Sequence, residues 1–108
     1  MNSSRLESLR QFLEKEPNDS FTKYAIALEY ASLKDFSKSV AMLESLIIHD
    51  PDYVPAYHQL GNIHAQLDRV NEAIRSYEHG IEAAERTGDH HAQREMQEAI
   101  DDLDEGDH

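Results

Sequence analysis

Tyr57-His58-Gln59-Leu60-Gly61-Asn62-Ile63-His64 decides how this chain folds. Its apolar positions fall three and four apart, which is one face of a helix, and a glycine sits inside that face where bulk must be kept out. Moving 34 residues upstream lays Lys23-Tyr24-Ala25-Ile26-Ala27-Leu28-Glu29-Tyr30 on the same stretch. Ile26-Ala27 falls on Leu60-Gly61 and Tyr30 on His64, so apolar meets apolar and small meets small. Beyond it, Leu33 falls on Leu67, Phe36 on Val70, Ser39-Val40 on Ala73-Ile74, Leu43 on Tyr77 and Ile47 on Ile81. A fixed period of this length is the mark of a repeat protein. The shift also works toward the N-terminus: Leu6, Leu9, Phe12 and Leu13 fall on Val40, Leu43, Leu46 and Ile47, and Pro17 falls on Pro51. The first segment therefore reads as the second helix of a unit whose first helix is missing.

The punctuation predicts six helices, at about 4–15, 20–33, 36–49, 54–67, 70–86 and 89–103, with 104–108 as a frayed acidic tail. Ser4-Arg5-Leu6-Glu7 has the form of a capping box. Asn18, Asp19 or Ser20 can cap the second helix. Lys34-Asp35 and Asp68-Arg69 stand at tight turns, and Asp50-Pro51 closes the third helix, because the residue before proline avoids helical geometry. Thr87-Gly88-Asp89 supplies a glycine stop followed by a cap. No segment alternates with period two, so the fold class is all-α. A shift of 34 would place Arg94-Glu95 on Leu60-Gly61, whereas a shift of 36 places Ala92, Met96, Ala99, Ile100 and Leu103 on Ala56, Leu60, Ile63, His64 and Leu67. The helix ending near Arg86 is thus expected to run about half a turn long. The last helix is expected to act as a polar-backed cap, with Gln93, Arg94, Gln97, Asp101 and Asp104 outward.

With 108 residues the chain suits one domain, placed at 1–103, with repeat units at about 20–53 and 54–87 and flanking helices at 4–15 and 89–103. It holds no cysteine, which excludes disulfides and thiolate metal sites. The absence of disulfides and of a recognisable leader points to a cytoplasmic location. No apolar run reaches the ~20 residues of a membrane helix. The formal net charge of −12 argues against nucleic acid and anionic membranes and for a neutral or basic partner. Seven histidines occur, but none is spaced His-x-x-x-His, and the adjacent His90 and His91 point to different helix faces, so no metal site and no cofactor are expected. The four glycines are scattered and assemble no phosphate loop, and no spacing sets a nucleophile beside its base, so no enzyme activity is expected.

Tyr57, Leu60-Gly61, His64, Ala73 and Tyr77, with their counterparts Ile26-Ala27, Tyr30, Ser39, Leu43 and Pro51, resemble the tetratricopeptide repeat pattern. The chain departs from it at Lys23, where an aromatic is expected, and at Glu85, where a proline is expected. The resemblance covers roughly residues 4–103. It implies a short right-handed solenoid of about six antiparallel helices whose concave face, lined by the first helix of each pair, holds a peptide or partner protein. Carried over residue by residue, that face is Phe21, Tyr24 and Leu28, then His58, Gln59, Asn62 and Gln66, then Arg94 and Glu95. Its apolar end suits apolar side chains, its amides suit a peptide backbone, and its acids suit a lysine or arginine. Some family members grip a chaperone's C-terminal carboxylate with a cationic clamp. The matching positions here read Tyr24, Leu28, Gln59, His91 and Glu95, with no Lys or Arg among them, which argues against that ligand. Two other readings stand beside the peptide-binding one. In the first, the apolar patch of Phe21, Tyr24 and Leu28 is buried in a homodimer of a scaffold protein; the second, more remote, is a small-molecule or metal binder.

Overall fold

The computed structural model describes residues 3–106. Six helices follow one another: α1 (Ser3–Lys15), α2 (Ser20–Ser32), α3 (Phe36–His49), α4 (Val54–Gln66), α5 (Val70–Thr87) and α6 (His90–Gly106). Among the described residues there is no strand. The helices gather into two compact units that meet in sequence at Asp50 and Pro51, α1–α3 in one and α4–α6 in the other. Met1, Asn2, Asp107 and His108 lie outside the described residues.

Two helix ends differ from expectation. Ser4 is not a cap, because α1 already includes Ser3, and Ser4 uses its carbonyl to accept from the Ser8 hydroxyl at 3.0 Å. Asp104 and Glu105 are not a frayed tail. They continue α6, in which nothing before Gly106 breaks a helix and half-buried Leu103 extends the stripe of buried Met96 and Ile100.

The turns explain how short connections reverse the chain. Lys34 (φ 65°) and Asp68 (φ 60°) take the left-handed conformation that usually calls for glycine, and Gly88 takes it too (φ 74°). At each, the residue after the turn reaches back to the helix it leaves. The N–H of Asp35 donates to the Tyr30 carbonyl, that of Arg69 to the His64 carbonyl and that of Asp89 to the Ala84 carbonyl, all at 2.8 Å. Carbonyls that a helix end would strand are thereby satisfied. Asp19 caps α2 through the Thr22 N–H, Asp35 caps α3 through the Lys38 N–H, and Asp89 supports α6 through the Ala92 N–H.

In the first unit α2 packs against α3, and α1 lies on α2. Ile26, Ala27, Leu43 and Leu46 are fully buried. A helix of 13 residues is marginal alone, so this burial, at ~1.5–3 kcal/mol for each large apolar side chain, is what holds α2 in place. The Ser39 hydroxyl donates to the Ala27 carbonyl at 2.7 Å, a contact that needs both residues small. In the second unit α5 packs against both α4 and α6. A Cβ on Gly61 would overlap the ring of Tyr77, and one on Gly80 would overlap the Met96 sulfur and the Tyr57 Cβ. The tyrosines fill the space that the glycines leave. Tyr77 donates to Asn62 at 2.6 Å and Tyr57 to the Pro51 carbonyl at 2.7 Å. Helix α5 has 18 residues against 14 in α3, so it runs a whole turn longer rather than half a turn. Burial supports the 36-residue register of α6: Met96 (0%) matches Leu60 (4%), and Ile100 (8%) matches His64 (9%).

Candidate functional site

Each unit presents its own group of the residues singled out from sequence. On α2, Phe21, Tyr24 and Leu28 follow at three- and four-residue steps and so share one face. Phe21 is 68% exposed and Leu28 38%, so α1 does not cover them, while Tyr24 is half-buried. Burial pushes the Tyr24 phenol above its ordinary pKa, so it stays neutral near neutral pH. The other side of α2 carries buried Lys23, Ile26 and Ala27, which fix the orientation of the exposed one.

On α4, Asn62 and Gln66 are exposed and His58 and Gln59 are half-buried. Two of these four also serve the core. Asn62 Oδ1 accepts from the Tyr77 hydroxyl at 2.6 Å, and the His58 ring stands edge-on to Tyr77 with centroids 6.0 Å apart. Asn62 therefore offers a ligand its two amide N–H donors while its oxygen is already engaged, a narrower offer than the sequence suggested. On α6, Arg94 and Glu95 are exposed, and Glu95 lies 3.5 Å from His91 one turn earlier. Among the described residues no three of His, Asp and Glu come together in a way that could hold a metal ion. Among the described residues no helix is long and apolar enough to cross a membrane.

A second feature lies in the first unit. A groove of about 410 Å³ opens between α1, α2 and α3, floored by Leu13, Ile26 and Met42 and edged by Arg10, Glu14 and Tyr30. As one of the large residues of the repeat pattern, Tyr30 is expected in the core beside the counterparts of Tyr57 and Tyr77. It is half-buried instead, because the groove leaves one side of its ring uncovered and Lys38 lies over it at 5.7 Å from the centroid.

Comparison with known proteins follows from this geometry. The tetratricopeptide repeat family model matches residues 54–87, which are α4, α5 and the turn between them. The solution structure of a tetratricopeptide repeat domain protein from Salinibacter ruber is 39% identical, over 81% of this chain and 88% of that one, with a TM-score of 0.76. This chain belongs to the tetratricopeptide repeat family. Other tetratricopeptide repeat domains share the fold at lower identity. The TPR2B domain of yeast Sti1, in a complex with pHsp70, has a TM-score of 0.85 at 16% identity, over 94% of this chain and 81% of that one. The first such domain of Spaghetti (RPAP3), bound to the HSP90 peptide SRMEEVD, has a TM-score of 0.68 at 20% identity, over 88% of this chain and 76% of that one. No curated protein sequence matches the chain.

Proposed function

We propose that this chain is a binding module without catalytic chemistry of its own, holding a peptide or a segment of a partner protein against the first helices of its pairs. The observation that carries this reading is the outward face of α2, where Phe21 and Leu28 are exposed beside half-buried Tyr24. Apolar side chains exposed next to one another on one helix face form the kind of patch that marks an interaction surface. Relatives of the same fold that are seen with Hsp70 and HSP90 peptides support the general mode. The chemistry here differs from a carboxylate grip. At the positions where a cationic clamp would stand, this sequence has Tyr24, Leu28, Gln59, His91 and Glu95. Taken unit by unit, the face of α2 fits an apolar side chain, the amides of Gln59, Asn62 and Gln66 on α4 fit a peptide backbone, and Glu95 on α6 fits a basic residue.

Selection of peptides from a random display library on the wild-type protein tests the reading. The winners are expected to carry an apolar anchor and a lysine or arginine, and to bind Leu28→Glu at least tenfold more weakly, with unchanged circular dichroism. Peptides that bind Leu28→Glu and Phe21→Ser as well as they bind the wild type would place the site elsewhere and end this proposal.

A further inference from the structure

Polar side chains round the groove of the first unit lack partners. Arg10 and Glu14 stand one turn apart on α1 at its rim, a spacing at which opposite charges commonly meet across a helix surface. Among the described residues neither side chain makes an ion pair or a hydrogen bond. Other cations of the same unit are engaged: Arg5 Nε lies 2.6 Å from Glu29 Oε1, and Lys38 Nζ lies 3.7 Å from Asp35 Oδ2. Tyr30 is a third case. The hydroxyls of Tyr57 and Tyr77 donate to protein acceptors, whereas that of Tyr30 has no partner among the described residues. Beneath these groups, fully buried Ile26 and half-buried Leu13 and Met42 make an apolar floor.

At about 410 Å³ the groove has the size of a ligand site, for which ~300–1,000 Å³ is usual. Its rim is wet, since Arg10, Glu14 and Pro17 are exposed. A free small molecule lying there would keep much of its surface in water, whereas a small-molecule site buries most of its ligand. A side chain presented by a protein segment needs only its own surface covered, and its neighbours along the segment can meet the rim. The rim sets their charge. The planar fork of Arg10 suits a carboxylate, which it can hold by two parallel hydrogen bonds, and Glu14 suits a lysine or arginine. The groove is also separate from the outward face of α2, because Ile26 and Tyr30 stand about 200° round that helix from Tyr24 and Leu28.

We propose that this groove is a second docking site, for an apolar side chain that a partner protein carries between an acidic and a basic residue. The apolar side chain rests on Leu13, Ile26 and Met42, the acid meets Arg10 and the base meets Glu14. Nuclear magnetic resonance of the isotope-labelled protein, titrated at low salt with the tripeptide acetyl-Glu-Leu-Lys-amide, tests it. Saturable shifts are expected at Leu13, Ile26, Tyr30 and Met42, unchanged in Leu28→Glu and lost when glycine replaces the leucine of the peptide. Arg10→Gln is expected to weaken binding of this peptide about threefold, as an exposed ion pair would, and to leave acetyl-Gln-Leu-Lys-amide unaffected. Glu14→Gln is expected to do the same for the base, with acetyl-Glu-Leu-Gln-amide unaffected. Both residues are exposed, so neither substitution disturbs the core. Three results overturn the inference: no saturable shift at the groove, a glycine peptide that binds as well, or substitutions that weaken the charged and neutralised peptides alike. Shifts that gather at Phe21 and Leu28 instead, and vanish in Leu28→Glu, would assign the peptide to the outward face of α2 and overturn the groove site alone.

Discussion

Gly61 and Tyr77 show how far a single residue decides this fold. A side chain at residue 61 needs the space that the Tyr77 ring fills, so Gly61→Ala is expected to destabilise the protein by about 1–3 kcal/mol despite alanine's better helix propensity. Urea unfolding followed by circular dichroism measures it, and a neutral result would mean that the ring moves aside at no cost. The left-handed turns point the other way. Lys34 and Asp68 hold a conformation that costs a side-chain-bearing residue about 1–2 kcal/mol, and Gly88 shows the third turn made without that cost. Lys34→Gly and Asp68→Gly should each stabilise by up to about 1 kcal/mol, part of the gain being offset by the added freedom of the unfolded chain. His64 is a third case. It occupies a core position with Nδ1 buried and unpartnered, and His64→Phe removes that polar atom, so the midpoint of thermal unfolding should rise.

At the scale of the helix, the caps set where each element begins. Asp19 caps α2, and hydrogen bonds from the Thr22 hydroxyl and then the Thr22 N–H hold its carboxyl below the ordinary carboxylate value. A lowered pKa in the folded state means that the stabilisation is fully present above the ordinary value near ~4 and is lost as the pH falls through the lower, folded value. Asp19→Ala should therefore lower the thermal midpoint at neutral pH, and the gap from the wild type should close toward acid. A gap that stays constant down to the acid limit would mean that the carboxylate's charge plays no part in the cap. Most of the elements were legible in the sequence because their apolar stripes and their turn residues agree with each other. The ends were less so. Ser4-x-x-Glu7 has the form of a cap but lies within α1, since Ser3 is already helical. Asp104 and Glu105 read as a tail from their charge alone, while the half-buried Leu103 keeps α6 going. The groove over Tyr30 was not legible at all, because it depends on what three helices fail to fill.

For the molecule as a whole, charge is distributed unevenly. Residues 1–50 hold six Lys and Arg against eight Asp and Glu, a net of −2, and residues 51–108 hold four against fourteen, a net of −10. A ligand with a basic end would find its electrostatic attraction in the second half of the sequence. Raising the salt from ~0.05 M to ~0.5 M shortens the range of electrostatic attraction severalfold, so affinity for such a peptide should fall steeply, mainly through a slower association rate. Surface plasmon resonance separates the two rates. Salt-independent binding would mean that the acidic half takes no part in holding the peptide.

The sequence by itself determined the repeat, its period and the pairing of large residues with small ones, because the two helices of each pair close on one another only where the same bulk stands at the same position each time. It also determined the helix class and most of the turns, since these depend on residues close together in the chain. Only the tertiary structure decided which members of the candidate surface remain available. Phe21 and Leu28 are exposed, Asn62 has its oxygen committed to Tyr77, and Phe12 stands in solvent where its counterpart Leu46 is buried. Those outcomes depend on which helix lies against which, and residues far apart in sequence set that when the apolar faces close.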